Sequence, residues 1–436
     1  LEPGRDQLRV RAINSCIQFL PALDGKELVT VESLAGDDGE LHPVQQAIVN
    51  THGSQCGFCT PGFVISLFAL YKNNPDPTRR EIDDALAGNL CRCTGYQPII
   101  EAAQTMYQLP TEGSWLEQPC TDDPGDTQRI ERLKSIQRDS LLKVGRDGRY
   151  FCAPQNLDEL SSLRQQYPDA NLLAGGTDVG LWVTKQQYQP AHLIYTGRVP
   201  ELLQTRITDD HIEVGAAVPM TEASALITAH YPDLTELFTR FASPPIRNVA
   251  TLGGNIANGS PIGDSMPPLM TLDARILLQG RNGQREMPLE DFYLDYMVTA
   301  LEDDEVLVSV KIPLPDDASQ LRCYKVSKRF DQDISALCMA FKAHIDDGVV
   351  TSIRIAAGGL AAIPKRASAC EAAMTGQPWN AATITAGMQA LNDDFEPIDD
   401  LRASAVYRLK CAQNLVQRFH LETTEDNDYS VYGYGR

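Results

Sequence analysis

Between His42 and Met106 apolar residues recur every three to four positions and are interrupted at regular points, which predicts four helices. Pro43 can open the first, over about 43–52, and Pro61 the second, running through Phe63, Ile65, Leu67, Phe68 and Tyr71. Proline suits these positions because its missing N–H is not needed in a helix's first turn. The third and fourth helices are expected over 78–87 and 98–107. From Leu109 to about Arg149 the period gives way to Pro110, Gly113, Pro119, Pro124, Gly125 and mixed charges, a linker pattern with one short helix over 129–138.

After Tyr150 the pattern becomes one of alternating short strands and helices. Strands are expected over 171–174, 191–196 and 211–217, with 252–258 and 274–278 continuing the series and 306–312 as a longer alternating strand. Beyond Pro313, strands over 322–327, 335–344 and 350–357 precede helices over 367–374 and 403–419. No repeat stands out. The fold class expected is therefore α+β and multidomain.

With 436 residues, 43% of them hydrophobic, the chain can bury two or three separate cores. Its formal net charge of −20 repels phosphate backbones and anionic headgroups, which argues against nucleic acid and membrane partners. No apolar run approaches the roughly 20 residues of a membrane span, and no signal-peptide pattern opens the chain. These features lead us to expect a soluble cytoplasmic protein. Leu1 stands where a Met would start a chain, and 7–20 reads like the middle of a domain, so we expect residues upstream.

Eleven cysteines in a chain of this size do not suggest a disulfide scaffold. Cys16, Cys120, Cys152, Cys323, Cys338, Cys370 and Cys411 are scattered singly and read as small core or surface residues. Cys56, Cys59, Cys91 and Cys93 form two close pairs, Cys-x-x-Cys and Cys-x-Cys, each at a helix junction where unpaired N–H groups can stabilise thiolates or cluster sulfurs. Spacing alone leaves a structural zinc site and an iron–sulfur centre both open, although Cys-x-Cys is unusual for zinc.

The segments Gly53-Ser54-Gln55-Cys56-Gly57-Phe58-Cys59-Thr60-Pro61-Gly62 and Gly88-Asn89-Leu90-Cys91-Arg92-Cys93-Thr94-Gly95-Tyr96 closely resemble the helical 2Fe-2S domain of the molybdenum hydroxylases, the family of xanthine dehydrogenases and aldehyde oxidases. The resemblance implies that these four cysteines ligate a 2Fe-2S cluster and that Gln55 contacts the molybdenum cofactor's pterin on a partner. Arg11-Ala12-Ile13-Asn14-Ser15-Cys16 matches the segment holding the last ligand of the family's plant-type ferredoxin domain. The three earlier ligands have no counterpart, so the sequence is a truncated fragment or the protein has lost that cluster.

Two Gly-rich turns follow: Leu172, Leu173, Ala174, Gly175, Gly176, Thr177, Asp178 and Val179, then Thr251, Leu252, Gly253, Gly254 and Asn255. Each could be an ordinary tight turn, and neither has the Gly-x-Gly-x-x-Gly of a Rossmann unit. Glycines do let backbone N–H groups approach a pyrophosphate closely. With the continuation Ile256-Ala257-Asn258-Gly259-Ser260-Pro261-Ile262-Gly263-Asp264, they resemble the FAD-binding domain of the same family. The resemblance implies that both turns cradle the FAD phosphates, Asp264 contacts the nucleotide, Phe241 lies against the isoalloxazine, and Leu307 and Lys325 touch FAD. Arg329 and Asp333 would lie near the ring, where they could meet nicotinamide. Core roles for Phe241 and Leu307 and a solvated surface for Lys325, Arg329 and Asp333 are the plain alternatives.

The implied organisation is a ferredoxin remnant over 1–38, a helical 2Fe-2S domain over 39–108, a linker over 109–148, a two-subdomain α+β FAD-binding domain over 149–314 and a small C-terminal α+β domain over 315–425. In such a chain electrons pass from a large subunit carrying the molybdenum cofactor, through the cluster, to FAD and then to NAD, within an α2β2 heterotetramer that oxidises hypoxanthine and xanthine to urate. The residues that oxidise the substrate would lie on the partner. The rivals are a subunit of an aldehyde, nicotinate or carbon monoxide hydroxylase, and a zinc-bound scaffold or assembly subunit with a vestigial flavin fold.

Overall fold

The computed structural model describes residues 1–3, 8–36, 39–111, 124–316 and 318–425. Gly113, Pro119 and Cys120 of the expected linker lie outside the described residues. The chain packs as two compact units whose segments interleave: Leu1–Gln155, Asn171–Tyr195 and Ala242–Val249 form one, and Asn156–Ala170, Thr196–Phe241 and the chain from Ala250 onward form the other.

In the first unit the four expected helices are α1 (Pro43–Asn50), α2 (Thr60–Asn73), α3 (Arg79–Leu86) and α4 (Gln97–Thr105). Their starts are set locally. His42 caps α1, its Nδ1 accepting the Val44 N–H, and Thr78 and Glu81 form a reciprocal capping box on α3. Val44, Ile48, Phe63, Leu67, Tyr71, Ile82 and Ile99 face one another in a single core. The short helix of the linker spans Pro124–Ser135, earlier than expected, and it is docked, with Ile130 and Leu133 buried in the same core.

The same unit holds a four-stranded sheet in the order 142–146, 149–153, 192–195, 171–173. The first pair is an antiparallel hairpin and the other pairings are parallel. Asp147 and Gly148, both at positive φ, close that hairpin, and an Asp-Gly of this kind is the sequence signal that would have revealed it.

The second unit contains a five-stranded sheet in the order 283–288, 275–280, 306–313, 211–215, 205–207. It also contains a four-stranded antiparallel sheet, Ser319–Val326, Leu337–Asp346, Val349–Gly358 and Lys365–Arg366. One face of the latter carries Leu337, Met339 and Phe341 into a core with the helices Ser368–Met374, Ala381–Asp394 and Ala405–Thr424. Phe341 stacks on Phe419 at 5.1 Å.

One expected strand is a helix. Residues 252–258 form the helix Leu252–Ala257, because Thr251 acts as its N-cap, accepting the Gly254 N–H at 2.9 Å, and Leu252 and Ile256 share one buried face four residues apart. Helices at Leu157–Gln166, Met220–His230 and Ala381–Asp394 were not foreseen, although Asn156 and Asn380 are visible N-caps for the first and last.

Candidate functional site

The thiol site is made where two helix junctions of the first unit meet. The chain leaves α1 through a left-handed His52, turns through Gly57 at φ +80, and places Cys59 as the N-cap of α2. The second loop leaves α3 through Gly88 at φ +91 and enters α4 through Gly95 and Tyr96, both at positive φ. Asn89 clips this loop to α2, its amide donating to Ser66 Oγ at 2.9 Å and to Leu86 O at 3.2 Å. At Gly62 a Cβ would stand 2.6 Å from Asn89 Oδ1, so a larger residue there would push the Asn89 side chain from its place.

The four sulfurs are cross-paired between the loops. Cys93 Sγ lies 3.5 Å from Cys56 Sγ, and Cys59 and Cys91 lie near enough for each to shift the other's ionisation. Two pairs of thiolates, one pair for each iron, is the donor set of a binuclear cluster, whereas a mononuclear zinc draws all four donors to one point. The residues present therefore fit a 2Fe-2S group.

Two of the four thiols, Cys56 and Cys91, are shifted toward the ionised form that a metal needs, while the hydrogen bond to Cys56 raises Cys93. The Thr94 hydroxyl and the N–H groups of Thr94 and Cys93 lower the Cys91 thiol to about 7. The Phe58 N–H, with the Cys93 thiol, lowers Cys56. Cys59 goes the other way, to about 11, because burial penalises its charge and its proton is shared with Cys91. Around the sulfurs the surface is open and carries two large apolar side chains, Phe58 94% and Leu90 76% exposed. Gln55 is exposed on the same loop.

Elsewhere in this unit, the strand Asn171–Leu173 runs into the first glycine turn and then the short helix Val179–Thr184. Gly176 sits at φ +73 and Gly180 donates to its carbonyl at 2.7 Å. The turn is packed from behind by the N-terminal segment, since a Cβ on Gly180 would lie 2.7 Å from Ile17 O. Cys16 stands next to that contact, exposed on the 3-10 turn Ser15–Ile17. Sequence reasoning did not foresee this packing.

In the second unit the other glycine turn is the first turn of the helix Leu252–Ala257. Its glycines permit close approach, as a Cβ on Gly253 would lie 2.5 Å from the Ala216 Cβ. Asn255 Oδ1 accepts the Ser265 hydroxyl at 2.5 Å. The adjoining Asp264 is buried against Lys325, Oδ2 to Nζ at 2.5 Å, and its Oδ1 accepts the Ser335 hydroxyl at 2.6 Å. With side chains 3% and 6% exposed, Lys325 and Asp264 form an internal ion pair, so the solvated-charge alternative for Lys325 is overturned. Ser265 and Ser335 were missed, and a lone serine carries no pattern that would have singled them out.

Leu307 is buried in the strand Val306–Pro313, at an irregularity of its pairing with 275–280. Phe241 is half-buried just after the helix Thr235–Arg240. Arg329 and Asp333 pair with each other at 3.1 Å. Of the cysteines read as single, Cys323 and Cys338 are brought to 3.9 Å across neighbouring strands.

Cross-paired thiols on a helical bundle and glycine-lined turns on mixed α/β units, in one chain, define an iron–sulfur flavoprotein. Three family models match in this order: a 2Fe-2S binding domain over 30–104, an FAD binding domain in molybdopterin dehydrogenase over 144–315, and a CO dehydrogenase flavoprotein C-terminal domain over 322–423. A chain of the carbon monoxide dehydrogenase from Hydrogenophaga pseudoflava is 31% identical, with a TM-score of 0.59, over 63% of this chain and 96% of that one. The xanthine dehydrogenase of Emericella nidulans is 30% identical over 96% of this chain and 34% of its own length. That of Oryza sativa is 30% identical over 95% and 35%. The chain thus spans about a third of the length of these curated relatives.

The chain belongs to the molybdenum hydroxylases, as an electron-transfer polypeptide of that oxidoreductase family with its 2Fe-2S, FAD-binding and flavoprotein C-terminal domains.

Proposed function

We propose that this chain is the iron–sulfur/FAD subunit of a cytoplasmic xanthine dehydrogenase. Electrons from a large subunit carrying the molybdenum cofactor enter a 2Fe-2S cluster held by Cys56, Cys59, Cys91 and Cys93, pass to FAD and leave to NAD as hypoxanthine and xanthine become urate. The observation that carries this reading is the cross-pairing of the four sulfurs on a chain that also has the flavin domains. Cofactors of this kind supply the redox chemistry; the protein supplies position, burial and hydrogen bonds.

Several features of the chain support the parts assigned to each residue. The open apolar rim at Phe58 and Leu90, with Gln55 beside it, suits a partner that brings a second redox centre close to the sulfurs. The glycine turns at 172–179 and 251–255 suit the FAD phosphates, with Phe241, Asp264, Leu307 and Lys325 as further FAD residues. Arg329 and Asp333 would meet nicotinamide. The relatives named xanthine dehydrogenase, aligned over nearly the whole chain, favour the purine substrate, and the α2β2 assembly is what the family resemblance implies. Among the described residues no helix is long and apolar enough to cross a membrane.

A second reading, a subunit of a carbon monoxide hydroxylase, is favoured by the 31% identity to the Hydrogenophaga chain and the match of 322–423. One experiment separates the readings. The chain is purified without air, its iron, zinc and flavin are measured, and NADH is added. Bound iron and FAD, flavin bleached by NADH, and xanthine-driven reduction once the molybdenum partner is co-expressed are expected. Reduction by carbon monoxide and not by xanthine would favour the second reading. Zinc without iron or flavin would leave only a scaffold.

A further inference from the structure

The loop 91–96 places a hydroxyl beside one of the four sulfurs. Thr94 Oγ1 accepts the main-chain N–H of Tyr96 at 3.2 Å and lies 3.2 Å from Cys91 Sγ. A threonine hydroxyl has one proton and two lone pairs. With an N–H already aimed at the oxygen, and with a metal-bound thiolate able only to accept, the proton points at sulfur.

The arrangement is built by the backbone. Gly95 and Tyr96 at φ +70 and +69 fold the chain so that the Tyr96 N–H returns to Thr94. The Tyr96 ring packs edge-on against Phe63 of α2, and its hydroxyl accepts the Cys91 N–H at 3.1 Å. Cys91's own N–H is thereby committed to an oxygen, while Cys56 takes its hydrogen bond from the main chain at Phe58. A side-chain hydroxyl bears on one sulfur of the set, and a side chain is what a substitution can remove without cutting the chain.

We propose that Thr94 tunes the reduction potential of the 2Fe-2S cluster by donating its hydroxyl proton to Cys91 Sγ. The inference rests on the reading that the four cysteines hold such a cluster. Donation to sulfur draws electron density away from iron, so the reduced state, which carries one more negative charge, is stabilised relative to the oxidised state. The step concerned is entry of one electron from the molybdenum partner; no bond is made or broken at sulfur and the proton stays on the threonine oxygen. Thr94 thus helps set how readily the cluster accepts that electron and hands it on to FAD.

The test uses the full chain with its cluster, titrated electrochemically and followed by electron paramagnetic resonance, as native protein and as Thr94→Val, Thr94→Ala and Thr94→Ser. Valine and alanine are expected to move the cluster's midpoint to more negative potential, with a shift in its reduction equilibrium of about tenfold, which for one electron is 59 mV. Serine, which keeps the hydroxyl, should restore the native value, and the flavin midpoint in the same samples should not move. An unchanged cluster midpoint in an iron-loaded valine or alanine variant overturns the proposal. Loss of iron from both assigns Thr94 to cluster assembly and overturns it too. A native chain that binds no iron fails the cluster reading instead, so the two failures are distinguishable.

Discussion

Lys325 is a charged residue whose ammonium sits among buried groups, paired with Asp264 and donating to Ser335 at 2.9 Å. Removing one partner of such a pair leaves an uncompensated charge inside the protein, which costs about 3–5 kcal/mol. We expect Lys325→Met to lower stability by that order in chemical denaturation. The double change Lys325→Met with Asp264→Asn should recover part of the loss; equal stability of the single variant and the native chain would show that the pair does not carry the predicted energy. The cysteines answer to a different measurement. Cys56→Ser or Cys91→Ser should abolish iron binding and leave bound FAD unchanged, as read by metal analysis and flavin absorbance on one sample, because the sulfurs and the glycine turns belong to separate elements. Iron retained in either variant would sink the ligand assignment. Nothing in the local sequence announced that Asp264 and Lys325 meet, since 61 positions separate them. The two cysteine pairs were legible because their members stand two or three positions apart in the chain.

At the scale of elements, the helix Leu252–Ala257 carries a glycine against a strand. A methyl at Gly253 would stand 2.5 Å from the Ala216 Cβ and 2.6 Å from its carbonyl oxygen, and relieving such overpacking costs about 1–3 kcal/mol. Gly253→Ala should therefore lower the melting temperature and weaken FAD retention together, measured by thermal unfolding and by flavin released on dilution. A variant as stable as the native chain would mean that the helix can back away from Ala216. This helix was misjudged as a strand because a short apolar run bounded by glycines satisfies both periods. What decided it was Thr251 as a cap and the packing of Leu252 and Ile256. α1 to α4 were legible for the opposite reason. Each has two turns or more with apolar residues at helical spacing and a marked start, Pro or a capping Thr, so local and tertiary demands agree. In α2, Leu67 is fully buried, and Leu67→Ala should cost about 2–5 kcal/mol in the same unfolding measurement.

For the whole molecule, carboxylates held ionised by their partners govern the response to acid. In the first unit, burial would raise the Glu2 carboxyl, but the charges of Lys26 and Arg11 outweigh it and hold the group at about 2. In the second, burial works against ionisation of Asp316 and Asp400, yet Lys342 and His344 for the one, and the N–H groups of Ala403 and Arg402 with Arg408 for the other, keep both well below the usual carboxylate range. A carboxyl whose folded pKa is depressed contributes stability that is complete above its unfolded value and is lost as pH falls through the folded one. For Glu2 that window runs downward from the ordinary value of 4.5 toward 2. Melting temperature should hold steady above the ordinary carboxylate range and fall steadily below it, followed by circular dichroism. A melting temperature that rises on acidification would show that relief of the net charge of −20 outweighs these pairs.

That Asn171–Tyr195 and Ala242–Val249 join the unit of the thiol-bearing helices was not legible, because which segments pack into one unit depends on contacts between residues far apart in the chain. By itself the sequence determined the helices of the thiol domain, the two close cysteine pairs at their junctions and the two glycine-rich segments, since periodicity, capping and short spacings are encoded within a few residues of one another. Only the tertiary structure decided that Cys93 Sγ meets Cys56 Sγ, that the Thr94 hydroxyl sits beside Cys91 Sγ, that Asp264 is paired with Lys325 and that 252–257 is helical, because each depends on contacts that the local pattern does not encode.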